Sequence, residues 1–154
     1  MKFTLASIPL FILPVLTTSS TTSVSFDPIY DKGTTSLDSV ACSDGKNGLI
    51  TRGYTTFASL PSFPNIGGAS EIAGWNSPEC GTCWNLTYAA PTVVDGKTII
   101  TMRSVNILAI DTSKATGFNI AEEAMNTLTG GEAVHDGVVK GVLFEQVAEA
   151  KCGL

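Results

Sequence analysis

Residues 73–88 read AGWNSPECGTCWNLTY. Two cysteines, Cys80 and Cys83, flank Gly81-Thr82, and Trp84–Tyr88 follows at once as a short run of aromatic, apolar and β-branched side chains of the kind that fills a strand. A Cys-x-x-Cys pair is either a redox couple or two halves of separate staples, and the rest of the chain decides which. Only Cys42 and Cys152 remain to pair with them. A Cys80–Cys83 bridge would leave those two to close the whole domain and would leave both long loops unstapled. In either other pairing each bridge closes a loop of tens of residues, worth about 4 kcal/mol in the chain-entropy account. The structural reading is therefore adopted, with the connectivity open between those two pairings.

Outward from that stretch, turn signals recur at short intervals: Lys32-Gly33, Asp44-Gly45, Asn47-Gly48, Gly67-Gly68, Asp95-Gly96, Gly130-Gly131 and Asp136-Gly137. Between them lie strand-like runs at Val24–Phe26, Trp84–Tyr88, Thr98–Thr101, Ile107–Ile110 and Val138–Val147. The rhythm predicts an all-β barrel or sandwich with short helices. Two segments read as helical: Tyr54–Leu60, ending before Pro61, and Asn119–Leu128. In the second, Asn119 is the expected N-cap, Glu122 and Glu123 favour the helix dipole, and Gly130 is the stop. Ile120, Ala121, Ala124, Met125 and Leu128 supply its apolar stripe.

The 154-residue length suits one hydrophobic core. Met1-Lys2, an apolar stretch from Phe3 to Leu16 and a small polar run from Thr17 to Ser23 have the layout of a secretory leader. The stretch is shorter than the roughly 20 residues that span a bilayer, and Pro9 and Pro14 argue against a core helix. Residues 1–22 are expected to be removed, leaving residues 23–154 as a single secreted domain with no membrane insertion. The chain carries a net charge of −5, and loss of Lys2 makes it −6. Nucleic acid is a poor partner for such a surface, and a neutral ligand suits it better. The lone His135 has no Cys or His at ligand spacing and reads as an exposed loop residue; no metal or other cofactor is expected.

Several motifs occur in one order along the chain: Val24-Ser25-Phe26-Asp27-Pro28-Ile29-Tyr30, Ala41-Cys42-Ser43-Asp44-Gly45, Phe63-Pro64-Asn65-Ile66-Gly67-Gly68, Ala73–Trp84, Ile110-Asp111, Gly117-Phe118-Asn119-Ile120-Ala121 and Cys152-Gly153-Leu154. Taken together they resemble the cerato-platanin family across nearly all of residues 23–154. The resemblance implies a six-stranded double-psi β-barrel related to the first domain of expansins, and the pairing Cys42–Cys80 with Cys83–Cys152. It also implies a fungal, secreted or wall-associated protein that binds chitin or N-acetylglucosamine oligosaccharides without cutting them. Elicitation of plant defence through a host receptor belongs to the same expectation. The rival reading is a wall-loosening or weakly hydrolytic protein of expansin type.

By that resemblance Asp111 is the acidic residue of a shallow groove, and Asn119 also faces it. Each has a plainer reading, since Asp111 could cap the end of its strand through the Thr112-Ser113 amides and Asn119 could simply cap its helix. Ser43 and Asp44 offer further polar groups after the first cysteine, or form a turn before Gly45. Trp75 and Trp84 could stack on sugar rings, but both flank the cysteine pair and are read as core. The sequon Asn85-Leu86-Thr87 lies in a strand, which argues against glycosylation. Inverting hydrolysis needs two carboxyl groups about 6.5–9.5 Å apart, and only Asp111 stands out.

One departure concerns Ile100–Val105, which intervenes where relatives run from the Gly96-Lys97-Thr98-Ile99 turn straight into the strand leading to Asp111. Either the hairpin is longer or the inferred coding sequence is in error. The facing of Asp111 depends on the answer, because a one-residue slip reverses every side chain.

Overall fold

The computed structural model describes residues 20–114 and 117–154. Six strands, β1 (Thr21–Phe26), β2 (Ile66–Ala69), β3 (Cys83–Val94), β4 (Lys97–Thr112), β5 (Phe118–Ile120) and β6 (Val138–Val147), close into a barrel in the order β1-β5-β2-β4-β3-β6. β1 runs parallel to β5 and β2 parallel to β4, while every other neighbour is antiparallel. This is the expected all-β, double-psi arrangement. The expected leader lies outside the described residues as far as residue 19; Thr21 and Thr22 stand in β1, opposite Leu143 and Val142.

Ile107–Ile110 are all buried, because one face of β4 fills the barrel and the other is covered from outside. Trp84, Phe118 and Phe144 form an aromatic trio with ring centres 5.8–5.9 Å apart. The Trp84 indole N–H donates to Thr82 Oγ1 at 2.9 Å, so its polar edge is satisfied inside the core. The bridges are Cys42–Cys80 and Cys83–Cys152, with Cα separations of 5.4 and 5.8 Å, as the family resemblance implied.

Ile100–Val105 forms part of one uninterrupted hairpin. Its residues pair one for one with Pro91–Leu86, within a ladder that runs from Val94↔Lys97 to Cys83↔Leu108. In this sequence the hairpin is uninterrupted, and its regular register carries through to the strand end. A second device then sets Asp111: β2 pairs Gly67 with Ala109 but Gly68 with Asp111, a bulge that skips Ile110. Glycine is required there, since a Cβ on Gly67 would lie 2.5 Å from the Asn119 carbonyl and one on Gly68 2.5 Å from that of Thr112.

Two expectations are corrected. The helix α1 spans Glu122–Thr129, and Asn119 does not cap it. Asn119 belongs to β5 and is paired on both sides, with Ser25 of β1 and Gly68 of β2, so two ladders outweigh one local cap. The cap comes from Asp31, whose carboxylate accepts from Glu122 N at 2.8 Å and Glu123 N at 3.1 Å, a pairing worth about 1 kcal/mol. Gly130, left-handed at φ 81°, ends the helix as expected. The second correction is Trp75, which is 63% exposed rather than packed in the core. Its indole N–H donates to Asp44 at 2.6 Å, and that acceptor sits on a surface loop.

A second helix, α2 (Ala133–Asp136), carries the exposed His135 beside Asp136. The Tyr54–Leu60 segment holds only one turn of 3-10 helix, Phe57–Ser59. Among the described residues no helix is long and apolar enough to cross a membrane.

Candidate functional site

Where β1 and β4 leave the barrel, their ends and β5 wall a cleft of about 660 Å³. Strand alternation places Ser25 and Asp27 on its side of the β1 exit, and the turn that follows contributes Ile29 and Tyr30. Thr35, Ser39, Val40 and Phe57 also line it. The end of β4 supplies Asp111, β5 supplies Asn119, and Lys114 stands at the rim.

Asp111 is held firmly. Its Oδ1 accepts from the backbone N–H of Thr112 at 2.8 Å and of Ala41 at 3.0 Å, and its Oδ2 accepts from the Tyr30 hydroxyl at 3.2 Å. The strand-end cap on Thr112 is therefore real, but the Ala41 and Tyr30 contacts tie two distant segments to the same carboxylate. With two acceptor positions per oxygen, Oδ2 has capacity for one more donor on the cleft side. Asn119 accepts at Oδ1 from Ser25 Oγ at 3.0 Å, which leaves its Nδ2 group without a partner among the described residues and able to donate. Asp27 Oδ1 takes the Ile29 N–H at 2.9 Å.

Burial, and then the adjacent Asp111 charge and hydrogen bond, push the Tyr30 phenol far above its ordinary value. The hydroxyl thus stays protonated and keeps donating to Asp111. A raised phenol binds its proton in the folded state after the unfolded chain has lost it, so stability declines as pH rises past the ordinary tyrosine value of about 10. Alkaline ultraviolet titration should show one tyrosine that does not ionise until the fold is lost, and Tyr30→Phe should abolish that signal.

The arrangement offers hydroxyl and amide donors, two carboxylates as acceptors, and an apolar shelf where Ile29 is 38% exposed. Such a set suits a neutral, hydroxyl-rich ligand with a small apolar group. Among the described residues no cluster of His, Cys, Asp and Glu could hold a metal ion.

Of the four residues expected at the site, the cleft brings Asp111 and Asn119 together. Ser43 and Asp44 do not line it: Ser43 is buried, and Asp44 accepts the Trp75 indole N–H. Sequence reasoning did not place Ser25, Asp27 or Tyr30 at the site. The i, i+2 spacing of Ser25 and Asp27 signals a shared face, but only the barrel closure shows that Asn119 and Asp111 lie opposite. The sequon residue Asn85 donates its Nδ2 to Asn106 Oδ1 at 2.8 Å on the β3–β4 face.

The protein-family model Cerato-platanin matches residues 22–154. A heat-stable 19 kDa antigen of Coccidioides immitis is 43% identical over 136 residues, covering 88% of this chain and 84% of that protein. Cerato-platanin of Ceratocystis fimbriata f. sp. platani is 38% identical over 141 residues, covering 92% and 93%. The crystal structure of cerato-platanin 2 from M. perniciosa superposes with a TM-score of 0.76 at 42% identity, covering 88% of this chain and all of the other.

Proposed function

The chain belongs to the cerato-platanin family, and from that premise we propose that it is a secreted fungal protein whose Asp111 cleft binds N-acetylglucosamine oligomers without cleaving them and whose presence a plant host perceives. The observation that carries the reading is the set of polar residues that line the cleft and keep hydrogen-bonding capacity: Asp111 at Oδ2, Asn119 at Nδ2 and Ser25 as an acceptor. Hydroxyls of a sugar ring donate to the carboxylate, the N-acetyl carbonyl accepts from the Asn119 amide, and the N-acetyl methyl rests on Ile29. Each neutral contact contributes about 1 kcal/mol, and the one to the carboxylate about 1.5–3 kcal/mol. Among the described residues no aromatic face lies open in the cleft, since Tyr30 and Phe57 are buried, so affinity rests on these few polar contacts.

One observation favours the enzymatic rival. Two carboxylates, Asp27 and Asp111, border the same cleft. An inverting hydrolase needs one of such a pair to give up a proton, whereas Asp111 accepts from three donors and Asp27 from the Ile29 amide. Binding of soluble N-acetylglucosamine oligomers, followed by calorimetry beside an assay of reducing ends on the same samples, separates the two. The expected result is saturable binding with no increase in reducing ends over the buffer blank. Release of reducing ends that disappears in Asp111→Asn would replace this reading with the hydrolytic one.

A further inference from the structure

Beyond the barrel, β3 and β4 continue as a two-stranded ribbon. β6 pairs β3 only from Cys83 to Thr87, and β2 pairs β4 only from Leu108 onward, so both ribbon edges lack a strand partner among the described residues. One face is covered at its base, where Ala90 is buried and the Arg103 guanidinium lies against Gly130 at the end of α1. The other face is bare and apolar: Val93 is 70% exposed, Ile100 57% and Met102 59%, with Ala89 and Pro91 between them. A two-stranded ribbon with an apolar face is marginal by itself in water and invites a further strand.

The two edges are not equivalent. The Asp95-Gly96 tip has φ of 51° and 71°, the signature of a two-residue type I′ turn, so Val94 and Lys97 exchange hydrogen bonds. Alternation from that pair points the N–H and C=O groups of Thr98, Ile100 and Met102 outward. It also turns position 91 outward on β3, where proline has no N–H to offer. The β3 edge is blunted, and the β4 edge is not.

We propose that the β4 edge of this ribbon pairs antiparallel with the same edge of a second copy of the chain, about a two-fold axis at Ile99. Charge selects the register. Centring on Ile99 sets Thr98 against Ile100 and brings the partner's turn, which carries the ribbon's acidic residue Asp95, level with Arg103, which makes no ion pair among the described residues. Centring on Ile100 would instead oppose Lys97 to Arg103, two like charges. The partner's tip then ends at Arg103, short of Asn106, whose amide reaches the Lys151 carbonyl. Pro91 blunts the edge left over, so the assembly closes as a four-stranded dimer and does not propagate.

The test uses the secreted protein. Sedimentation equilibrium up to about 1 mM, where even weak association registers, should show monomer and dimer only. Ile100→Pro removes the outward N–H without breaking a β3–β4 hydrogen bond and should weaken the dimer at least about tenfold, since each copy loses one hydrogen bond to the other. Ile99→Cys lies on the axis and should give a covalent dimer under mild oxidation, while Val134→Cys, exposed on α2, should not. A monomer throughout, a larger oligomer, a dimer indifferent to Ile100→Pro, or equal cross-linking by the two cysteine variants would each overturn the proposal.

Discussion

Replacing both Cys83 and Cys152 by alanine should lower the unfolding free energy by about 2–5 kcal/mol, read as a shift of the urea midpoint. The bridge spans 69 residues and joins the first residue of β3 to the closing turn of the chain. A loop of that length gives about 4 kcal/mol of chain-entropy stabilisation. Besides the packing of Leu154 on the core, the polar anchors of the closing turn are weak: the Arg52–Glu149 pair at 3.2 Å is partly exposed, and such pairs contribute about 0–1 kcal/mol. The Asn106 amide reaches the Lys151 carbonyl only at 3.5 Å. A loss below about 1 kcal/mol, the size of an ordinary substitution, would show that packing around Cys152 holds the turn without the bridge. Non-reducing digestion of the wild type should recover the Cys83–Cys152 pair directly.

Asp111→Ala should weaken oligosaccharide binding about 10- to 100-fold through loss of a charge-assisted hydrogen bond. It should also cost about 1–3 kcal/mol of stability, because the Ala41 amide and the Tyr30 hydroxyl lose their acceptor. That second effect makes alanine a blunt probe. Asp111→Asn keeps an oxygen for the Ala41 and Thr112 amides and presents its Nδ2 group to Tyr30, whose hydroxyl can accept. Stability should therefore stay within about 1 kcal/mol of wild type, while most of the binding loss persists because the charge is gone. Calorimetric titration and a thermal melt of both variants give the answer. If Asp111→Asn binds like the wild type, the carboxylate only ties the strand end to its neighbours.

The cysteines, turn residues and alternating runs specify local chemistry, and local chemistry was enough to read β6 at its full length, the Asp95-Gly96 turn and the buried Ala124, Met125 and Leu128 of α1, though Ile120 and Ala121 of the expected stripe precede that helix. What escaped depends on contacts between distant segments. Asp31 caps a helix 91 positions away, and no local pattern announces it. Asn119 has the composition of a cap and the position of a strand, because β1 and β2 both reach it. Trp75 resembles a core residue until the Asp44 acceptor is seen on the surface. At the cleft, Asp111 and Asn119 were legible through the family motifs, whereas Tyr30 and Asp27 join them only when the β1 exit folds back over the end of β4.

Those same surface contacts define the alternative location for a sugar. Trp75 lies exposed, its indole N–H on Asp44, and an open indole is a ready stacking platform. Titration of the isotope-labelled protein with N-acetylglucosamine oligomers, followed residue by residue by NMR, separates the two surfaces in one experiment. Binding in the cleft predicts saturable shifts centred on the amides of Ile29, Tyr30, Thr112 and Asn119 and on the Asn119 side-chain amide, all lost together in Asp111→Asn. Shifts centred instead on Asp44 and Trp75, and retained in Asp111→Asn, would contradict the assignment of the cleft as the binding site.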